Sequence, residues 1–326
     1  MRICRLQALL VLPLFFMVAC SQATPPSASS KALNLFEAEQ YRASIQEADR
    51  ILEANPGDSE ALNIKARAVS VLGDDRTAIR LVTQALEAAR RTGQASIAQQ
   101  ANYWNNLGYF NERQRNFQFA LGFYEKALNM RVAEFGADDL QTADSYNNLG
   151  TTLSKLGRYN EAFDNLHKNL AIRKRLLGEA APSVAVALNN LGNAYSLQGN
   201  YQSALPLFQQ ALDIDMALNG AQHPTVATRW NNIGDAYRGL GQYDKAEFFL
   251  SKALNSDLAN FGENHPKVLL RYTNLARIYE AQGDMSKACD AYTKALQIVR
   301  QVDPDDIRQI QYLELRVQTM KTKPNT

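Results

Sequence analysis

Asparagine follows asparagine at Asn105-Asn106, Asn147-Asn148, Asn189-Asn190 and Asn231-Asn232, each pair 42 residues after the last, and the series continues as Thr273-Asn274. An amide side chain is donor and acceptor at once. It can therefore pair with both polar groups of an extended peptide backbone, whatever side chains that backbone carries. Inside a helix each Asn costs about half a kcal/mol or more relative to Ala. Nine asparagines in ten such positions therefore point to a use beyond helix making.

Other chemistry is sparse. Of three histidines, His223 and His265 precede proline at equivalent places and His167 stands alone. None has a Cys, Asp or Glu partner at metal-ligand spacing. Phosphate loops, a Gly-x-Ser-x-Gly elbow and a His-Glu-x-x-His pair are missing from the sequence. We therefore expect no catalytic residue, no metal, no cofactor and no small-molecule substrate. An enzyme would need titratable groups converging on one place, and the repeat shows only scattered Asp and Arg there.

The elements that place the amides follow from the same period. Ala120, Ala162, Ala204, Ala246 and Ala288 keep step with the pairs, as do Tyr159, Tyr201 and Tyr243. Within one unit, a small-residue helix over 184–197 ends at Gly199, and Tyr201 opens a second helix with Ala204, Phe208, Ala211 and Leu212 at helical spacing. At about 100° per residue, unit positions 4, 7, 8 and 11, where Trp104, Leu107 and Gly108 stand, form one buried arc. The second Asn, at position 6, points away from that arc and shares its side with positions 2, 9 and 13. The first lies on the flank nearer the neighbouring helices. The second is thus better placed for ligand. The competing expectation is that the amides bond one another and order the stack.

Trp104, Leu107, Gly108, Ala120, Tyr124 and Ala127 resemble the tetratricopeptide repeat pattern. The 42-residue length, the Asn-Asn-Leu and the Gly-x-x-His-Pro of residues 220–224 and 262–266 look most like its kinesin light chain type. The resemblance implies an all-α, right-handed superhelical solenoid of about seven antiparallel helix pairs. We place the units at 31–58, 59–92, 101–134, 143–176, 185–218, 227–260 and 269–302, the first degenerate and the first two at a shorter period. A capping helix over 303–320 would open with Asp303-Pro304 as N-cap and first helical position and present Ile307, Ile310, Leu313 and Val317 on one side. In the family the outward arc of the first helix lines a concave groove. Here that arc would carry Asn106, Asn148, Asn190, Asn232 and Asn274, flanked at position 9 by Tyr109, Thr151, Asn193, Asp235 and Arg277. Position 13 adds Arg113, Lys155, Leu197, Gly239 and Ala281. Arg113 and Lys155 make one half of the groove basic, which suggests a ligand acidic at that end.

The N-terminus carries a separate signal. Met1 to Arg5 is short and basic, and Ala8 to Ala19 is an apolar run too short to span a membrane. Met17-Val18-Ala19-Cys20 resembles a bacterial lipobox, with Met17 where Leu is usual, which implies cleavage at 1–19 and a lipid on Cys20. Residues 20–30 then read as a flexible tether, rich in Ser and Pro. Ser21 after the cysteine, rather than Asp, implies an outer-membrane anchor facing the periplasm. Loss of Arg2 and Arg5 lowers the basic count from 35 to 33, equal to the acidic residues. A neutral chain gives no reason to expect nucleic acid as a partner. Cys4 lies in the signal and Cys20 would be lipidated, leaving Cys289 as the remaining thiol and no internal disulfide. The sequence thus reads as a non-enzymatic scaffold whose partners are proteins or peptides, held to the cell envelope by a lipid. The alternative is a structural solenoid that self-associates through its convex face or through residues 307–317.

Overall fold

Six alanines in step, Ala78, Ala120, Ala162, Ala204, Ala246 and Ala288, are fully buried where the two helices of a unit cross. Opposite them the backbone comes closer still. A Cβ on Gly108, Gly150, Gly192 or Gly234 would lie 2.5–2.8 Å from Tyr124, Leu166, Phe208 or Leu250. Small residues at both crossing points let two helices approach closely while one large side chain fills the space between them.

The computed structural model describes residues 29–322. Across them α1 (Ser30–Glu37) pairs with α2 (Tyr41–Ala54), α3 (Ser59–Val71) with α4 (Asp75–Thr92), and α5 (Ile97–Arg113) with α6 (Phe117–Phe135). The pairs continue as α7 (Leu140–Lys155) with α8 (Tyr159–Leu177), α9 (Pro182–Leu197) with α10 (Tyr201–Asn219), and α11 (Pro224–Gly239) with α12 (Tyr243–Phe261). The last pair is α13 (Pro266–Gln282) with α14 (Met285–Val302), and α15 (Ile307–Thr322) follows it. Each helix touches its neighbours in sequence, and first helices also touch the next first helix. The result is an all-α superhelical solenoid of helix pairs closed by a single helix, as expected. Among the described residues no helix is long and apolar enough to cross a membrane.

The eight residues by which these units exceed 34 extend the second helix to 19 residues in the four middle units and add a short connection. In the fifth and sixth connections His223 and His265 act as N-caps, their Nδ1 atoms accepting from the backbone N–H of Thr225 and Lys267, with Pro224 and Pro266 at the first helical position. The turn inside each unit needs a left-handed residue, supplied by Gly73, Gly157, Gly199, Gly241 and Gly283. In the third unit Arg115 occupies that conformation, at φ 62°.

Three sequence expectations are corrected. The second unit is not at a shorter period: Asn63, Gly73, Ala78 and Ala85 stand 42 residues before Asn105, Arg115, Ala120 and Ala127. The short step is the first, from the start of α2 at Tyr41 to the start of α4 at Asp75. The tether does not reach residue 30. Ser29 is buried with its hydroxyl on Asp58, and Ser30 begins α1. Nor do Asp303 and Pro304 open the last helix. They lie in the connection, and Asp306 caps α15 by accepting from Gln309 N–H at 3.0 Å. Leu313 is buried and Ile310 and Val317 lie against the last unit, so this face is occupied within the chain, while Ile307 is more than half exposed.

A buried charge position runs through the second helices. Asp215 meets Arg229 of the next unit at 2.9 Å, and Asp257 meets Arg271 at 2.9 Å, all four side chains nearly inaccessible. One and two units earlier the same position holds Arg173 and Arg131. These reach back to Asp144 and Asn102 of their own units, and Arg131 also bonds Ser145. At the last junction Val299 and Leu313 replace the charges.

Candidate functional site

The asparagine pairs interlock. Asn106 Nδ2 donates to Asn63 Oδ1 at 2.8 Å, Asn148 to Asn105 at 2.8 Å, Asn190 to Asn147 at 2.9 Å, Asn232 to Asn189 at 2.7 Å and Asn274 to Asn231 at 2.9 Å. In each case the second Asn of one unit donates to the first Asn of the unit before. The amides therefore order the stack; each second Asn keeps a further N–H and a carbonyl lone pair for other partners, although the Asn148 and Asn232 carbonyls also accept from Asn147 and Asn231 at 3.4 and 3.3 Å. Asn63 belongs to this ladder. It was missed because it stands without an Asn beside it, although its place 42 residues before Asn105 could have revealed it.

Across the middle of the ladder lies a cleft of about 830 Å³ lined by side chains of α5, α7, α9 and α11. Asn106, Asn148 and Asn190 line it, with Tyr109, Thr151, Asn193 and Asp235 from position 9 and Lys155 and Leu197 from position 13. Asn105 and Asn147 also reach it, with Tyr201 closing one side. Asn232, Asn274, Arg113 and Arg277 are not among its lining residues. Asn274 is buried, and Arg277 lines a smaller slot nearer the C-terminus.

Position 13 is largely a junction between units. Arg113 reaches Asp75 at 2.9 Å, Lys155 sits over the Phe117 ring, the Leu197 carbonyl accepts from Tyr159 Oη at 2.9 Å, and Gly239 lies against the Tyr201 ring. Each partner opens the second helix of the preceding unit. A side chain larger than hydrogen at 239 would displace Tyr201 from the cleft wall.

Charge in the cleft is paired within the chain. Glu112 binds Lys155 and also accepts from Tyr124 Oη at 3.0 Å and Thr152 Oγ1 at 3.2 Å. Burial pushes the Tyr124 phenol well above its usual range, and the Glu112 carboxylate adds to that. Arg113 is matched by Asp75, and Arg238 by Asp235 at 2.7 Å. The basic half expected from Arg113 and Lys155 is therefore neutralised by Asp75 and Glu112. Sequence reading missed these acids because they come from neighbouring units. What remains in the cleft is amide, hydroxyl and tyrosine chemistry, suited to hydrogen bonding with a backbone and to contact with apolar side chains.

Among the described residues no group of His, Cys, Asp and Glu is arranged to hold a metal ion. His167 is exposed, and Cys289 is a free thiol whose Sγ lies 4.0 Å from the Val317 carbonyl. Residues 1–28, with the expected signal, Cys20 and most of the expected tether, lie outside the described residues.

Comparison with known proteins agrees with this geometry. The tetratricopeptide repeat profile matches residues 99–166, 146–217, 183–259 and 225–301. No curated protein matches the chain. Among solved structures, BtubC (BKLC) from P. vanneervenii is similar at 26% identity and a TM-score of 0.57, over 70% of this chain and 92% of that one. The nearly identical repeats of a putative kinesin light chain from Podosopora anserina are similar at 20% identity and a TM-score of 0.54, over 64% of this chain and 99% of that one. A Rap protein complexed with Competence and Sporulation Factor shares the fold at 13% identity and a TM-score of 0.61, over 90% and 85% of the two chains. Repeat length, small-residue crossings and profile agree, and the chain belongs to the tetratricopeptide repeat family.

Proposed function

We propose that this protein is a non-enzymatic scaffold that holds an extended segment of a partner protein in the cleft along its first helices. The observation that carries this reading is the cleft itself: about 830 Å³ across four first helices, lined by amides with unused hydrogen-bonding capacity and by Tyr109, Tyr201 and Leu197. A cleft open along the stack suits an extended chain. Backbone pairing gives it affinity, and position 9 gives it selectivity through Tyr109, Thr151, Asn193 and Asp235. The wider family of repeats is built to mediate protein contacts, which supports the same reading.

The N-terminal pattern ending at Cys20 supports a second part of the proposal, that a lipid on this cysteine holds the scaffold to the outer membrane, facing the periplasm. One acyl chain gives weak attachment, whereas several stabilise it. Intact-mass measurement of the mature protein would show an N-terminal Cys20 bearing acyl chains; an unmodified cysteine would refute the anchor.

The test of the cleft uses Thr151→Arg with Asn193→Arg. Both positions are half-buried on the open side and make no bond between units. A long side chain there should fill the cleft and abolish co-purification of the envelope partner while the helical circular dichroism spectrum stays unchanged. Undiminished co-purification would show that the partner binds elsewhere.

A further inference from the structure

The ladder stops one step before the last helix, and the place where it stops is open. Thr273 replaces the first Asn and turns its hydroxyl to the Leu269 carbonyl at 2.9 Å. Arg316, one unit after Asn274, binds Glu280 instead of an amide. With no amide bridge between α13 and α15, a slot of about 320 Å³ remains, lined by Leu269, Leu270, Thr273, Arg277, Tyr312 and Leu313. Leu270 is 47% exposed and Tyr312 39%.

Arg277 gives this slot a charge that the main cleft lacks. Lys155, Arg113, Arg238 and Arg316 each have a carboxylate partner, and Arg67, at position 9 of α3, lies 4.1 Å from the centre of the Phe36 ring. Arg277, among the described residues, is exposed and forms no ion pair; it lies near the Tyr292 phenol, whose hydroxyl donates to Glu280 at 3.3 Å. Glu280, three residues further along α13, is paired with Arg316. Part of the guanidinium fork thus stays available at the mouth of an apolar slot. A carboxylate there would form a charge-assisted bond, and bidentate pairing suits Arg in particular.

We infer that the slot between α13 and α15 takes an aliphatic side chain of a bound peptide whose adjoining Asp or Glu pairs with Arg277. This rests on the reading that the first-helix groove binds extended peptides, and it moves the acidic end of the ligand from Arg113 and Lys155 to the C-terminal end of the groove. The aliphatic residue supplies burial against Leu269, Leu270 and Leu313, and the acid fixes register.

Selection from a displayed library of random 12-residue peptides on the full chain in detergent tests it. Expected are peptides enriched in Asp or Glu beside Leu, Ile or Val. That preference should be lost with Arg277→Gln, and the affinity of a selected peptide should fall about tenfold. Leu270→Ala, which changes an exposed side chain, should weaken the same peptide, and circular dichroism of both variants should match the parent. Peptides that are abolished by Asn193→Arg but indifferent to Arg277→Gln would overturn the slot and leave the groove standing. Failure to enrich any peptide would overturn both.

Discussion

Asn190 donates its side-chain amide to Asn147 Oδ1 across 2.9 Å, and the equivalent bond recurs at every junction of first helices from α3 to α13. The five bonds make the asparagines part of the wall as well as part of the surface. Replacing one of them tests stacking before it tests binding.

Asn147 is the most connected of them, accepting from Asn190 and, at 3.4 Å, from Asn169, while donating to Asn148. Asn147→Ala should destabilise the array by about 1–2 kcal/mol, because a half-buried donor loses its partner. Urea unfolding of Asn147→Ala, Asn190→Ala and the double variant should give a coupling near 1 kcal/mol, typical of one hydrogen bond between neighbours. Strict additivity would mean the ladder bonds do not form in solution.

The Asp257 and Arg271 side chains are 0% and 3% exposed, and their bond crosses from α12 to α13. Removing either partner leaves a buried charge, so Asp257→Asn or Arg271→Met should cost about 3–5 kcal/mol, whereas Asp257→Leu with Arg271→Met should recover most of that loss. In a repeat array the effect should be local. Hydrogen exchange should rise first at the α12 and α13 junction, and uniform loss of protection across the chain would contradict this.

Arg115 stands where Gly occurs in the second unit and in the fourth to seventh, at φ 62°. A left-handed residue with a Cβ is strained by about 1–2 kcal/mol, a cost glycine does not carry. Arg115→Gly should therefore raise the urea midpoint, and Gly199→Ala, at the equivalent turn, should lower it. A lower midpoint for Arg115→Gly would show that the Arg side chain compensates for its backbone.

Tyr279 is pushed up to about 12 from an ordinary 10.0, chiefly by burial and then by the Glu247 carboxylate that accepts from its hydroxyl at 3.1 Å. In the unfolded chain this phenol ionises near 10, while the folded chain keeps its proton to higher pH. Between those values the folded state binds more protons, so the stabilisation present below pH 10 is lost as pH rises towards 12. Tyr279→Phe should flatten the stability profile over that window, measured as the urea midpoint. An unchanged slope would show that folding does not raise the proton affinity of this phenol.

The sequence made some of this legible and hid the rest for physical reasons. Period, helix pairing and the arc that carries Asn106, Asn148 and Asn190 followed from one chain, because close packing of identical crossings imposes the same small residues at every step. Partnerships between units did not. The 43-residue separation of Asn190 from Asn147 is visible only when two helices are laid side by side. Asp75 and Glu112 read as solvated charges until the next unit brings Arg113 and Lys155 against them. Arg131, Arg173, Asp215 and Asp257 occupy one structural position with both signs of charge, and a pattern of residue type alone cannot join them. Asp303-Pro304 offered a plausible helix start, but Asp306 caps the helix three residues later.

Photo-crosslinking in native cells tests most directly whether the first-helix cleft is the binding surface. A benzoylphenylalanine at Thr151 or Asn193 would face the cleft, and one at Gln210 or Glu125, both exposed on second helices, would face away from it. Covalent capture of one partner at Thr151 and Asn193, with the cross-link mapped to a single extended segment of that partner and little capture at Gln210 or Glu125, is the predicted result. Capture of that partner at Gln210 or Glu125 with none at Thr151 and Asn193 would contradict the account.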